Sequence, residues 1–404
     1  MSVFKIIKCY MITFLALILS EISTIRAEEQ DTLNKKNNFI YSGFLQDGRI
    51  MSSNRFLKQM NATDEELGEF TAVSFQLLKQ TTGKSLWEQY YRYPQYGVGF
   101  YAARFFHNKY LSVPVALYGT YKAPIKKWDK LSLNYNAGLG LTFNWESFNP
   151  AESNYNISLG AELSSYIDAG VFLSYEISPH LDLGFGYSFT HFSNGAMRIP
   201  NYGLNTLAPR ISLEYRISRF EPPKAKSVIP PYIKKTSIDF SFYGGEKNVI
   251  YPECNTDTAT IFNGIYYPVF GLNVILYRQI SYKSKIGIGM TVGYDGSKNS
   301  VVSLVRDMPV PDQSFRKENV TLSIYPSYEQ VFEKISLFAQ PSFYIIKHQT
   351  TYPRPTFFAR IGFKYQLVEN IYTGLSLHSY NFHKSDFIEW TIGYQMPLSK
   401  RWYK

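Results

Sequence analysis

Cysteine is almost missing from this chain: Cys9 and Cys254 are the only two in 404 residues. Cys9 falls in an N-terminal segment that reads as a secretory signal. Lys5 and Lys8 give the basic start, an apolar stretch runs from about Tyr10 to Leu19, and Ala27 follows Thr24-Ile25-Arg26 as the small residue at the cut site. Cleavage there would leave Cys254 alone, which excludes a disulfide-built scaffold. Cys9 also lacks the small-residue context of a lipoprotein cleavage site. Long hydrophobic runs are missing as well. The signal's apolar stretch falls short of the roughly 20 residues that a transmembrane helix needs, and no later segment offers such a run, so a helical membrane protein is excluded. The six histidines (His107, His180, His191, His348, His378 and His383) form no cluster with ligand spacing, so no metal site is expected. Phosphate-cradling glycine loops and paired catalytic carboxylates are absent, and no cofactor is required.

Aromatics are what the chain has in excess. They make up 17% of the residues, with 34 Tyr and 30 Phe. A soluble domain seldom carries so many, whereas a transmembrane barrel needs an apolar outer band flanked by aromatic girdles. Residues 1–27 hold three of the basic and one of the acidic side chains, leaving 39 and 31 after cleavage, a net charge of +8. A basic surface suits anionic partners. For an exported barrel these are phosphorylated lipid headgroups and not nucleic acid; a solvated surface without a partner is the bland reading.

Past residue 68 the dominant pattern is alternation with a period of two. From Leu131 to Trp145 every odd position is apolar or aromatic, while the even positions are Ser132, Asn134, Asn136, Gly138, Gly140, Thr142 and Asn144. Successive strand side chains face opposite ways, so one face is greasy and the other polar or small. Pro209 to Ile217 sets Ile211, Leu213, Tyr215 and Ile217 against Arg210, Ser212, Glu214 and Arg216. Two arginines and a glutamate inside a soluble sandwich would be costly. Inside a transmembrane barrel they pair or meet water.

The first half divides into about eight strands, near 69–79, 95–106, 111–122, 130–145, 155–164, 167–177, 181–193 and 206–218. Residues 219–235 contain four prolines and read as a linker, since proline cannot donate to a ladder. Eight further strands follow, near 236–244, 267–278, 284–294, 319–329, 334–346, 355–367, 370–380 and 386–396. The expected fold is therefore an all-β, antiparallel transmembrane barrel, as two tandem eight-stranded units or as one larger barrel, with the linker favouring two. The expected organisation is a signal at 1–27, a periplasmic or plug-like lead segment at 28–68, a first barrel at 69–218, the linker, and a second barrel-like repeat at 236–404.

The strand 181–193 ends in the most informative stretch. Its odd positions run Leu181, Leu183, Phe185, Tyr187 and Phe189, then His191 and Ser193. Parity thus puts an imidazole and a hydroxyl on the lipid-facing side, where polar groups cost free energy unless they lie near the interface. Two residues apart on one face, they are within hydrogen-bonding reach, the starting geometry of an activated serine. Only Ser178-Pro179-His180 separates this strand from the one before it. Short turns are periplasmic in outer-membrane barrels, so the strand runs outward and the pair sits at its outer end. Arg198, in the loop just beyond, is a candidate contact for a lipid phosphate or core sugar, against a solvated loop arginine.

His191-Phe192-Ser193-Asn194-Gly195, followed by Pro200-Asn201-Tyr202-Gly203-Leu204-Asn205, resembles the outer-membrane lipid A 3-O-deacylases of the PagL type, also called acyloxyacyl hydrolases, and their long Bacteroidetes-like members above all. The resemblance covers about Ala72 to Ser218, including Lys79-Gln80-Thr81-Thr82-Gly83-Lys84 and Tyr93-Pro94-Gln95-Tyr96-Gly97. It implies a barrel with Ser193 as nucleophile and His191 as general base, and with Asn194 and the adjacent backbone N–H of Gly195 holding the oxyanion. The best-studied branch completes its triad with a Glu fourteen residues after the His; here that position is Asn205. An amide can accept from the imidazole and set its tautomer, but it cannot stabilise the imidazolium by charge. Glu214 is on the wrong face by parity.

The implied activity is a serine esterase of the outer membrane that removes an ester-linked acyl chain from lipid A of lipopolysaccharide. Two rivals come from other classes: a non-catalytic barrel such as a porin or surface protein, and a lipid acyltransferase. The second half offers no convincing copy of the site. His378 and Ser379 are adjacent and point to opposite faces, and His383-Lys384-Ser385 lies in a connection.

Overall fold

Strand alternation sorts the side chains so completely that two sheets close on themselves. In the computed structural model, residues 38–398 are described apart from 60, 62, 63, 65, 107–110, 150–155, 220–228, 250–264, 298–301, 306, 307, 312, 313, 348–354 and 381–383. The expected signal at 1–27, Cys254, His107, His348, His383 and residues 220–228 of the expected linker lie outside the described residues. The first barrel is β1 (Phe39–Met51), β2 (Glu69–Gln80), β3 (Gln95–Phe105), β4 (Val115–Lys127), β5 (Leu131–Phe143), β6 (Ser164–Ser178), β7 (Leu181–Ser193) and β8 (Leu204–Arg216), each paired with its chain neighbours and β8 closing on β1. The second is β9 (Lys235–Val249), β10 (Ile265–Gln279), β11 (Ser284–Asp295), β14 (Val320–Phe332), β15 (Ile335–Ile346), β16 (Phe357–Val368), β17 (Ile371–Tyr380) and β18 (Lys384–Pro397), with β18 closing on β9. A small hairpin, β12 (Val302–Val305) and β13 (Met308–Pro311), rises from the connection after β11. All the ladders are antiparallel. A 13-residue strand such as β7 at about 3.3 Å per residue, tilted by about 45°, rises roughly 30 Å, the thickness of a bilayer's hydrocarbon.

Two expectations are corrected. Residues 28–68 are not a lead segment throughout, because Phe39–Met51 is β1 and pairs with both β2 and β8. Its Asp47 and Arg49 stand on the outward face where the other strands are apolar, and Ile40, Phe44 and Ile50 face inward, yet the ladder with β2 is continuous and the ladder with β8 resumes at Arg49 after a break at Asp47 and Gly48. Of the expected strand 155–164, the described residues 156–163 hold no strand, and the next strand begins at Ser164. Two of the apolar side chains there serve another purpose: Leu159 belongs to, and the partly buried Ile157 packs against, a core cluster at the end of the barrel.

Inward-facing charges are paired. Arg210 lies 3.2 Å from Asp168, with its guanidinium 3.6 Å above the ring centre of Phe44, and Lys122 meets Glu214 at 2.5 Å. In the second barrel Lys364 bridges Asp239 at 2.9 Å and Glu329 at 3.1 Å. Outward faces expose Leu139, Leu141, Phe185, Tyr187 and Ile211. Greasy outside and salt-bridged inside is the inverse of a soluble domain and fits a barrel in lipid.

One end of each barrel has short turns, Pro179-His180 between β6 and β7 and Glu333-Lys334 between β14 and β15. The other end of the first barrel carries the long connections 52–68, 144–163 and 194–203. There Phe56, Phe105, Trp145, Leu159, Tyr166 and Phe192 form an apolar plug under the loops. That plug packs beneath the long-loop end of β7 through Phe192.

Candidate active site at the long-loop end of β7

Phe192 is the residue that aims its neighbours. It is fully buried in the lumen, 5.0 Å from Trp145 and 5.8 Å from Tyr166 between ring centres. Anchoring it inward turns His191 and Ser193 to the outer face. Nε2 of His191 lies 3.0 Å from Oγ of Ser193, and Nδ1 lies 2.6 Å from Oδ1 of Asn205. Fourteen positions apart in sequence, His191 and Asn205 are direct partners in the β7–β8 ladder, so the register alone sets their side chains next to each other. An amide oxygen only accepts, so Nδ1 carries the proton and Nε2 offers its lone pair to the serine hydroxyl. Three sequence-predicted residues thus form one chain of hydrogen bonds.

The pair is on the outer face but is not bare. Ser193 is 4% exposed and His191 is half-buried, because residues 194–203 fold back over them. This return depends on Gly203, whose φ of +72° suits glycine. A Cβ there would stand 3.0 Å from Cε1 of His191 and 3.7 Å from Cβ of Ser193. The loop is tied to its neighbours: Gly203 N–H donates to Ser158 O at 2.9 Å, and Asn54, which caps helix α1 (Arg55–Lys58), donates to Ser158 Oγ at 2.9 Å and Gly203 O at 3.4 Å. On the other flank Ser165 Oγ donates to the carbonyl oxygen of Ser193 at 2.6 Å.

Both Asn194 donors have acceptors. Its backbone N–H reaches Oδ1 of Asn201 at 3.1 Å, and its side-chain Nδ2 reaches Arg198 O at 2.8 Å. These two bonds tie Asn194 into the loop. The same contact orients Asn201, leaving Asn201 Nδ2 as a buried donor without an acceptor. Gly195 sits in the turn directly after, with φ +64°. Arg198 is exposed at the loop's tip. Sequence reasoning missed Asn54, Ser165 and Asn201. Asn201 stands in the quoted Pro200-Asn201 stretch, but nothing in one sequence says which of several asparagines loses its partner on folding. In the second barrel, His378 points into the lumen between Phe358 and Phe387, beside Asp386, and among the described residues no serine hydroxyl lies at hydrogen-bonding distance from it.

Two family models match the chain. Residues 73–214 match the lipid A 3-O-deacylase (PagL) and residues 236–399 the acyloxyacyl hydrolase C-terminal domain. No curated protein matches it. Among solved structures, a triple mutant of Rhodopseudomonas blastica porin is 8% identical, with 89% of this chain and 99% of that one covered at a TM-score of 0.18. CdiB from Acinetobacter baumannii is 9% identical, with 89% and 60% covered at a TM-score of 0.18. At such scores neither likeness bears on function. The two family matches cover one barrel each, and the chain belongs to the lipid A 3-O-deacylase (PagL) family of outer-membrane barrels.

Proposed function

We propose that the chain, exported by its first 27 residues, is a serine esterase that removes an ester-linked acyl chain from lipid A in the outer leaflet. The observation that carries the reading is the run Asn205–His191–Ser193, linked at 2.6 and 3.0 Å on the outer face at the long-loop end. His191 Nε2 takes the proton of Ser193 as Oγ attacks the ester carbonyl, and the imidazolium returns it to the departing sugar oxygen. Water, deprotonated by the same nitrogen, then frees the fatty acid. Asn205 holds the tautomer throughout. The carbonyl oxygen gains negative charge in the tetrahedral state. Asn201 Nδ2, buried and unmatched, together with the Gly195 N–H, is the proposed donor set for it; losing one such donor typically lowers turnover about 10²–10³-fold. Arg198 would meet a phosphate or core sugar of the same lipid.

The interior weighs against the porin reading. Lys122–Glu214 and Arg210–Asp168 reach across the lumen of the first barrel, and Lys364 joins Asp239 and Glu329 in the second, so paired side chains occupy the interior where a porin keeps a channel. Labelling the purified protein with a fluorophosphonate tests the nucleophile. Phosphonylation mapped to the peptide holding Ser193, and abolished in His191→Ala, is the expected result. Absence of label on folded protein would refute an activated serine.

A further inference from the structure

Among its described residues the second barrel carries no copy of the site, yet its outer wall reaches the loop that covers it. Ile388 of β18 lies against Gly195: a Cβ at Gly195 would fall 2.6 Å from Ile388 Cδ1 and 3.7 Å from Leu377 Cδ1 of β17. Ile388 and Leu377 face outward yet are half-covered, whereas Trp390 and Ile392 further along β18 are exposed. A second contact comes from β10, where Tyr266 donates its hydroxyl to Met197 O at 3.2 Å. Gly195 and Met197 are two and four residues after Ser193.

The barrels are also pinned at the opposite end. Tyr91 stacks on Phe332 with ring centres 4.9 Å apart and donates to Val331 O at 2.8 Å, while Tyr90 stacks on Tyr282 at 5.3 Å. Contacts at both ends fix the wall of the second barrel relative to β7, so Ile388 meets the loop as a rigid stop and not as a swinging side chain.

We propose that the second barrel is a positioning element for the active site. Through Ile388, Leu377 and Tyr266 it presses the Gly195–Met197 turn into the conformation that presents the oxyanion donors, so the complete site needs both barrels. This rests on the esterase reading for its consequence and on the contacts alone for its structural content. Misplacing a catalytic group by about 1 Å can cost about 10²-fold; loosening one of three contacts should cost less.

The test uses the full-length protein in lipid nanodiscs. In Ile388→Ala, kcat for acyl release is expected to fall about tenfold with KM unchanged, and Ile388→Leu to restore most of it. Ile392→Ala, the same truncation on the same strand face but in lipid, is the control and leaves kcat unchanged. Gly195→Ala should cost less in the Ile388→Ala background than alone, since the clashing atoms are gone, although the strain at φ +64° remains. Hydrogen exchange reads the loop without catalysis: amides of residues 194–203 should exchange faster in Ile388→Ala and not in Ile392→Ala. Equal exchange in the two variants, or equal kcat, would overturn the proposal. Faster exchange with acyl release that survives Ser193→Ala would instead sink the esterase reading and leave the contact standing.

Discussion

Asn205 is where the proposed chemistry is most exposed to disproof. Its side chain touches the reaction only through His191, so Asn205→Ala removes one hydrogen bond and leaves nucleophile, loop and barrel in place. In the resting site that bond joins two neutral groups and contributes about 0.5–1.5 kcal/mol; when the imidazole gains the serine proton it becomes a bond to a charged donor, worth about 1.5–3 kcal/mol. The transition state therefore loses roughly 1.5 kcal/mol more than the ground state, about tenfold in kcat. Freedom of the unheld ring to carry its proton on Nε2, where it cannot act as base, lowers the rate further. The expected total is a ten- to hundredfold fall in kcat with KM unchanged, about 10²- to 10³-fold short of the loss typical when a charged triad member is neutralised. The assay is fatty-acid release from lipid A in mixed micelles across a substrate series. An unchanged kcat would show that Asn205 does not govern the imidazole, and a rise in KM alone would make it a substrate contact.

Other predictions follow from the loop and the lumen. Gly203→Ala forces a Cβ to within 3.0 Å of the His191 ring, so kcat should fall at least tenfold while the barrel still shows its folded mobility on unheated gels. Asn54→Ala strips the α1 cap and two donors from the outer loops; a loss of about 1–3 kcal/mol should appear as a lower unfolding midpoint together with reduced activity. Arg210→Ala leaves Asp168 buried beside Asn136 and Thr190 without its cation, and should cost about 3–5 kcal/mol in urea unfolding.

Much of this was legible because barrel strands obey a period of two. Alternation marked all eight strands of the second barrel and seven of the first, and parity alone turned His191 and Ser193 outward. β1 escaped because the outward Asp47 and Arg49 break its pattern; its identity comes from ladders with β2 and β8, which are long-range facts. The false strand near 155–164 arose because alternating apolar residues also serve a loop that packs on a plug, as Ile157 and Leu159 do. At the site, the His191–Asn205 pairing was read from resemblance, and its physical cause is the β7–β8 register, which spacing alone does not fix. The covering of Ser193 and the engagement of both Asn194 donors depend on how a ten-residue loop returns, and no local pattern encodes that.

The most direct test is the mass of lipid A from outer membranes of cells expressing the wild-type chain or Ser193→Ala. Wild type should shift lipid A down by one acyl chain, and Ser193→Ala, folded and present at the same level, should leave it at the parent mass. A shift that persists without the Ser193 hydroxyl, or that never appears with it, would contradict the assignment of this outward-facing pair as the catalytic centre.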